Sequence, residues 1–167
     1  LIAPAHVAAS AISHGYKLVG LSGANRTFVL VSQPDIASVQ ELKGKRLYLP
    51  QQDSLRSYIA RGMLDQARMS LKDLGKVEFQ NTSGAGLIAL GLKATDATVA
   101  ESGEAQKWLA AKPGKGRVLL TSRETPAGLA VLSHKSVAAD LQAKIARWAT
   151  APEGVLPGQP TLAAASV

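Results

Sequence analysis

The chain predicts an α/β fold with a largely parallel sheet, and three observations carry that expectation. β-branched and aromatic runs of strand length alternate with stretches of helical periodicity along most of the sequence. Several of the strand runs empty into short polar or glycine-rich turns that open the next helix, the pattern of repeated βαβ units. The chain has 167 residues, 46% of them apolar and 19% charged, the makeup of an ordered globular protein. That length supports one substantial core or two small lobes, and is too short for two independent full-size domains.

In chain order, Ile2, Ala5, Ala8, Ala9 and Ile12 keep a helical spacing, so the chain is expected to begin inside a helix that closes at His14 and Gly15. Leu1 enters that pattern with no initiating Met and no secretion-signal sequence before it, and the chain reads as cut from something longer. Tyr16 to Leu21 reads as a strand, and Thr27 to Val31 as a buried one, followed by a short helix from Ser38 to Leu42 closed by Gly44. Arg46 to Leu49 alternate as a strand before a long helix over 55–68. Ser70 starts a helical turn ending at Gly75, Val77 to Gln80 is a strand, and Thr82 to Gly86 form a small-residue turn into a helix over 86–93. Strands at Asp96 to Ala100, Arg117 to Leu120 and Gly128 to Leu132 follow, with helices at Gly103 to Ala111 and Val137 to Thr150. Trp108 and Trp148 fall on the apolar faces of these helices and are expected in the core. Ala151 to Val167, with three prolines and two glycines, should run extended and poorly packed.

The net charge of +7 is spread over short Lys/Arg pairs rather than one block, and favours anionic partners without naming one. Aromatics make up 4% of the chain and do not interleave with a basic cluster, which argues against nucleic acid. No apolar run approaches the roughly 18 residues that a spanning helix needs. The absence of cysteine excludes disulfides, zinc-thiolate sites and thiol chemistry. His6, His14 and His134 lack metal-ligand spacing; Ser83 lacks the glycine two residues before it that a nucleophile elbow needs, and Gly84-Ala-Gly is too short for a P-loop. No catalytic residue, metal or cofactor is expected.

The sharpest local signal spans residues 43–58, a strand emptying into a polar turn that opens a helix. Asp53 and Ser54 form the N-cap, with Ser57 one turn in. Free backbone N–H groups and the positive end of the helix dipole point at whatever sits before such a turn, although Ser54 also serves simply by capping its own helix. In parallel sheets ligands gather at the carboxyl ends of strands. Three loops there, Pro50 to Ser54, Asn81 to Gly86 and Glu101 to Gly103, would make a polar pocket for a small oxyanion or a zwitterion.

Three segments in this order carry a family resemblance: Ser38-Val-Gln-Glu-Leu-Lys-Gly-Lys-Arg-Leu-Tyr-Leu-Pro, then Asp53-Ser-Leu-Arg-Ser-Tyr before a helix ending Met63-Leu-Asp-Gln-Ala, then Ala89-Leu-Gly-Leu-Lys-Ala-Thr-Asp-Ala-Thr-Val. Together they resemble the type 2 periplasmic solute-binding fold, and in particular its phosphonate-binding branch. The opening Ile2-Ala-Pro-Ala-His-Val-Ala-Ala is similar to the place where that family's first lobe meets its ligand. The resemblance covers residues 1–150. It implies a two-lobed clamp: residues 1–33 and 122–150 as a first lobe with hinge strands, 34–121 as the second, and 151–167 as a tail. The family's opening strand and helix units have no counterpart here, so the first lobe is expected to be incomplete.

The resemblance further implies an extracytoplasmic protein that captures a small anionic solute (phosphonate, phosphate-like or another oxyanion) in an interlobe cleft for the membrane permease of an ABC transporter. Alternatives are a ligand-sensing domain with a signalling partner, or an enzyme of the same fold acting on a phosphorylated or heterocyclic metabolite. The location implied is periplasmic, or lipid-anchored outside a Gram-positive cell, with self-association if this piece is the native form. Where phosphonate binders present adjacent hydroxyls, this sequence places Leu55 and Arg56 between Ser54 and Ser57. Arg56 either grips an anion in the cleft or faces water. The candidate ligand-binding residues are Ser54, Arg56, Ser57, Tyr58, Thr82, Ser83, Glu101, His6 and Arg26. Each keeps a plainer reading beside it: packing for His6 and Tyr58, and a solvated surface for Glu101 and Arg26.

Overall fold

The computed structural model describes residues 1–80, 84–126 and 128–150, and the backbone of 163–164. The chain opens with strand β1 (Ile2–Pro4), helix α1 (Ala5–Ser13), β2 (Tyr16–Leu21) and the short β3 (Asn25–Arg26). β4 (Phe28–Ser32) leads through a 3-10 turn (Val39–Leu42) to β5 (Arg46–Pro50) and α2 (Leu55–Gln66). A second 3-10 turn (Leu71–Asp73) precedes β6 (Lys76–Gln80), α3 (Ala85–Gly91), β7 (Ala97–Glu101), α4 (Ser102–Ala111) and β8 (Arg117–Thr121). β9 (Thr125–Pro126), β10 (Leu129–His134), α5 (Ala139–Thr150) and β11 (Ala163–Ala164) complete it. Among the described residues no helix is long and apolar enough to cross a membrane.

The first expected helix begins later than its apolar spacing suggests. Ile2–Pro4 is a strand, Ile2 facing Val131 in an antiparallel ladder, because Pro4 cannot continue a helix backwards and sits instead at its N-cap. α2 starts at Ser54, whose side chain accepts from the Ser57 N–H, and Ser70 and Asp73 close a reciprocal capping box around the next turn. The chain divides into two compact units, Leu1–Asn25 with Pro126–Val167, and Arg26–Thr125. Both crossings fall in the short strands β3 and β9, several residues from the expected boundaries at 33/34 and 121/122. β4 and the end of β8 therefore belong wholly to the larger unit.

The smaller unit carries a sheet in the order β1-β10-β2-β11, each neighbouring pair antiparallel. Its core is small: Ala3, Ala8, Ala130 and Leu132, with Tyr16, Leu18 and Leu21 against them. Of the tail expected to be unpacked, Ala163 and Ala164 pair with Leu21 and Gly20; the remainder lies outside the described residues.

The larger unit holds a mixed sheet ordered β6-β5-β7-β4-β8. β6, β5 and β7 run parallel, while β4 is antiparallel to both its neighbours. The expected largely parallel arrangement holds for four of these five strands, while the smaller unit's sheet is antiparallel. β8 follows β7 by a helical crossover and shares its direction, but β4 sits reversed between them and breaks the parallel series. The residues of β4 alternate between two cores. Phe28 and Leu30 join Leu47, Leu49, Met63, Leu64 and Val99 on the α2 face, while Val29 and Val31 meet Leu90, Ala100 and Ala105 on the α3 and α4 face. Burial on both faces explains why β4 reads as an unbroken apolar run. Trp108 packs at the margin of the second core, as expected, but Trp148 is 51% exposed and is not a core residue.

Candidate functional site

Because β5, β6 and β7 are parallel, their carboxyl ends, Pro50, Gln80 and Glu101, share one edge of the mixed sheet. The antiparallel registers Phe28↔Glu101 and Val29↔Thr121 bring the start of β4 and the end of β8 to that same edge. α2 and α4 both begin there, on adjacent strands, so the positive ends of a 12-residue and a 10-residue helix lie at one rim.

The polar side chains at this rim are joined in pairs. Arg56, in the first turn of α2, donates from Nη2 to Glu104 Oε2 at 2.9 Å, tying the start of α2 to the start of α4. Arg26 Nη1 donates to Glu101 Oε2 at 2.8 Å. The hydroxyls of Thr27 and Ser102 are 2.7 Å apart, and the Ser102 N–H donates to Thr27 O at 2.9 Å. Ser122 Oγ accepts from the Phe28 N–H at 2.9 Å and donates to Arg123 O at 2.7 Å. The two guanidinium–carboxylate pairs cancel formally.

Most of the sequence-named residues lie here, in arrangements the sequence does not specify. Ser54 caps α2 and donates its own proton to Ser57 Oγ at 3.1 Å. Ser57 is fully buried and donates to Gln51 O at 2.9 Å, so its hydroxyl belongs to the turn's framework rather than to an open pocket. Arg56 does not face water; its side chain is 14% exposed and pairs with Glu104. Glu101 meets Arg26 where a ligand amine was expected. Tyr58 is exposed, with the Arg61 guanidinium carbon 5.3 Å from its ring centroid. His6 belongs to α1 in the other unit, its Nδ1 buried. Thr82 and Ser83 fall outside the described residues.

Sequence reasoning missed Thr27, Ser122 and Glu104. Glu104 carried a signal, since it stands in the first turn of a helix, where an acidic side chain suits the positive end of the dipole. Among the described residues no cluster of three or more His, Asp or Glu side chains is placed to hold a metal ion.

The ionisable groups with displaced pKa values lie away from this rim. At the opposite edge, Arg46 donates to both carboxylate oxygens of Asp96 and to the carbonyls of Ala94 and Lys93. Those hydrogen bonds hold the Asp96 carboxyl below its ordinary range and raise the Arg46 guanidinium. A groove of about 450 Å³ opens beside this pair, between Gln33, Asp35, Lys45 and Lys93. Of the cations lining it, Arg46 already makes four side-chain hydrogen bonds within the fold.

A family model described as "ABC transporter, phosphonate, periplasmic substrate-binding protein" matches residues 7–153. The chain belongs to this phosphonate-binding family. The resemblance read from residues 38–99 is thereby confirmed, and the type 2 periplasmic-binding fold with it. No curated protein sequence matches the chain significantly. Among solved structures, XAC2383 from Xanthomonas citri bound to ATP aligns with a TM-score of 0.67 at 10% identity, over 92% of this chain and 65% of that one. PhnD1 from Prochlorococcus marinus in complex with methylphosphonate aligns at 0.56 and 14% identity, over 81% and 56%. The periplasmic aliphatic sulphonate binding protein SsuA from Escherichia coli aligns at 0.58 and 20%, over 82% and 47%. At these identities the likeness is one of fold. The chain spans between about half and two thirds of the length of these family-fold structures.

Proposed function

We propose that this chain captures a small oxyanion, a phosphonate, phosphate or related group, at the carboxyl rim of the mixed sheet, as the extracytoplasmic binding component that delivers it to a transporter permease. The observation carrying this reading is the junction of α2 and α4: two helix N-termini on neighbouring strands, with a mostly buried guanidinium between them. Backbone N–H groups at such ends are unused within the helix, and the dipole favours negative charge. A planar guanidinium adds charge-assisted, two-pronged recognition of a tetrahedral or carboxylate oxyanion. Membership of a family described by phosphonate transport supports both the transport role and the ligand class. The methylphosphonate complex of the Prochlorococcus protein makes that compound a natural probe. The net charge of +7 favours an anionic solute over a cationic one.

Melting temperature measured against phosphate, methylphosphonate, sulfate, simple carboxylates and amino acids tests this directly. A ligand that binds the folded state at 100 times its Kd adds about 2.7 kcal/mol. One or more oxyanions are expected to raise the melting temperature of the native chain, with the shift lost in Arg56→Ala and reduced in Ser54→Ala. An absence of shift with every oxyanion, or an undiminished shift in both variants, rules the reading out.

A further inference from the structure

We propose that Glu104 is an internal stand-in for the ligand's anionic group: its carboxylate pairs with the Arg56 guanidinium, and a captured oxyanion takes its place. This inference rests on the oxyanion-binding reading of the same rim. It adds a residue that sets how tightly, and which, anions are taken.

The argument begins from the unequal burial of the two partners. The Arg56 side chain is 14% exposed and that of Glu104 47%. A guanidinium at that depth is costly to leave without a counter-charge, whereas a half-exposed carboxylate regains water by a change of side-chain rotamer. Exchange therefore proceeds one way: Glu104 leaves, Arg56 stays, and the incoming anion restores the pairing.

Geometry agrees with this. Glu104 lies in the first turn of α4, where the helix dipole favours a negative charge, and it meets Arg56 from the first turn of α2. One carboxylate thus sits at the junction of both helix ends, where an external anion would draw on the same donors. Arg56 donates from Nη2 to Glu104 at 2.9 Å, and a tetrahedral or planar oxyanion offers acceptors to that same guanidinium. The second pair at the rim behaves differently. In Arg26–Glu101 the arginine is the more exposed partner, at 54% against 27%, so that pair has no reason to release its carboxylate for a ligand.

A site guarded in this manner discriminates. A weakly held anion fails to displace Glu104, while one that pairs more strongly with the guanidinium succeeds. The carboxylate also supplies like-charge repulsion against partially bound anions, a repulsive element of the kind specificity draws on.

Isothermal titration with inorganic phosphate and with methylphosphonate, on the native chain, Glu104→Gln, Glu104→Ala and Arg56→Gln, separates the possibilities. Removing the internal competitor is expected to tighten binding of the better probe by about tenfold in Glu104→Gln, and by a similar factor in Glu104→Ala, which cannot hydrogen-bond Arg56 at all. Binding in Arg56→Gln is expected to vanish. Native-like melting temperatures of the ligand-free variants confirm that each is folded. Native binding that is unchanged or weakened in both Glu104 variants overturns the stand-in role while leaving oxyanion capture intact. No binding by any form overturns both.

Discussion

Ser57 has the side chain whose role differs most from its appearance in the sequence. As a serine in the first turn of a helix after a polar loop, it reads as a ligand donor. In the folded chain it is fully buried, accepts from Ser54 and donates to the carbonyl of Gln51, with the Pro50 carbonyl 3.3 Å away. It therefore shapes the turn in front of α2 and orients the Ser54 cap. Ser57→Ala is expected to destabilise the chain by about 1–2 kcal/mol, since it strands buried carbonyl acceptors, and urea denaturation would measure this. Oxyanion affinity should fall less than in Arg56→Ala, and a complete loss of affinity in a fully folded Ser57→Ala protein would contradict this framework role. The N-cap itself was legible, because the requirement for a short polar side chain at a helix start is local. The direction of Ser57 was not, because it depends on how the preceding strand end folds back.

Helix α3 shows at the scale of the element why a glycine stands where propensity would prefer another residue. Gly86, one residue into α3, faces Thr98 of β7, and a Cβ placed on it would overlap the Thr98 hydroxyl. That hydroxyl is buried and donates to Tyr48 O at 2.9 Å on the neighbouring strand. A β-branched side chain with a fixed hydrogen bond cannot swing aside, so the close approach of α3 to the sheet requires glycine. Gly86→Ala is expected to cost about 1–3 kcal/mol by forcing helix and strand apart, despite alanine's better helix propensity. A gain in denaturation midpoint would show instead that the helix relaxes outward freely. The glycine's position in a small-residue turn was readable from Gly84-Ala-Gly; its partner was not, since Thr98 lies 12 residues further along the chain. The same limit applied to β1, where apolar spacing suited a helix but pairing with Val131, about 130 residues away, made a strand.

For the whole molecule, charge and acid sensitivity follow from a few tied carboxylates. Asp73 is held below the usual carboxylate range by hydrogen bonds from the backbone and side chain of Ser70, and Asp96 by those from Arg46. A depressed folded value means that the stability these groups add is complete above the unfolded carboxylate pKa of about 3.9, and is lost as pH falls through the folded values. Arg46, raised further from an already high value, changes nothing in this range. Melting temperature is therefore expected to hold to about pH 5 and to fall below about pH 4, less steeply in Asp96→Asn than in the native chain. Equal slopes in the two proteins would remove Asp96 from the account.

The sequence by itself determined the α/β class, all five α-helices and every strand of five or more residues, the capped start of α2 and the family. All of these rest on local periodicity, on caps and turns, or on ordered short segments that persist in a linear reading. Only the tertiary structure decided that β4 runs antiparallel between β7 and β8, that the small sheet is wholly antiparallel, and that Arg56 is answered by Glu104. Strand direction and ion pairing join residues far apart in the chain, and which of them meet is fixed by packing both faces of one sheet at once. At the proposed oxyanion site, the sequence supplied the helix start and the arginine; the fold supplied the carboxylate now held against it.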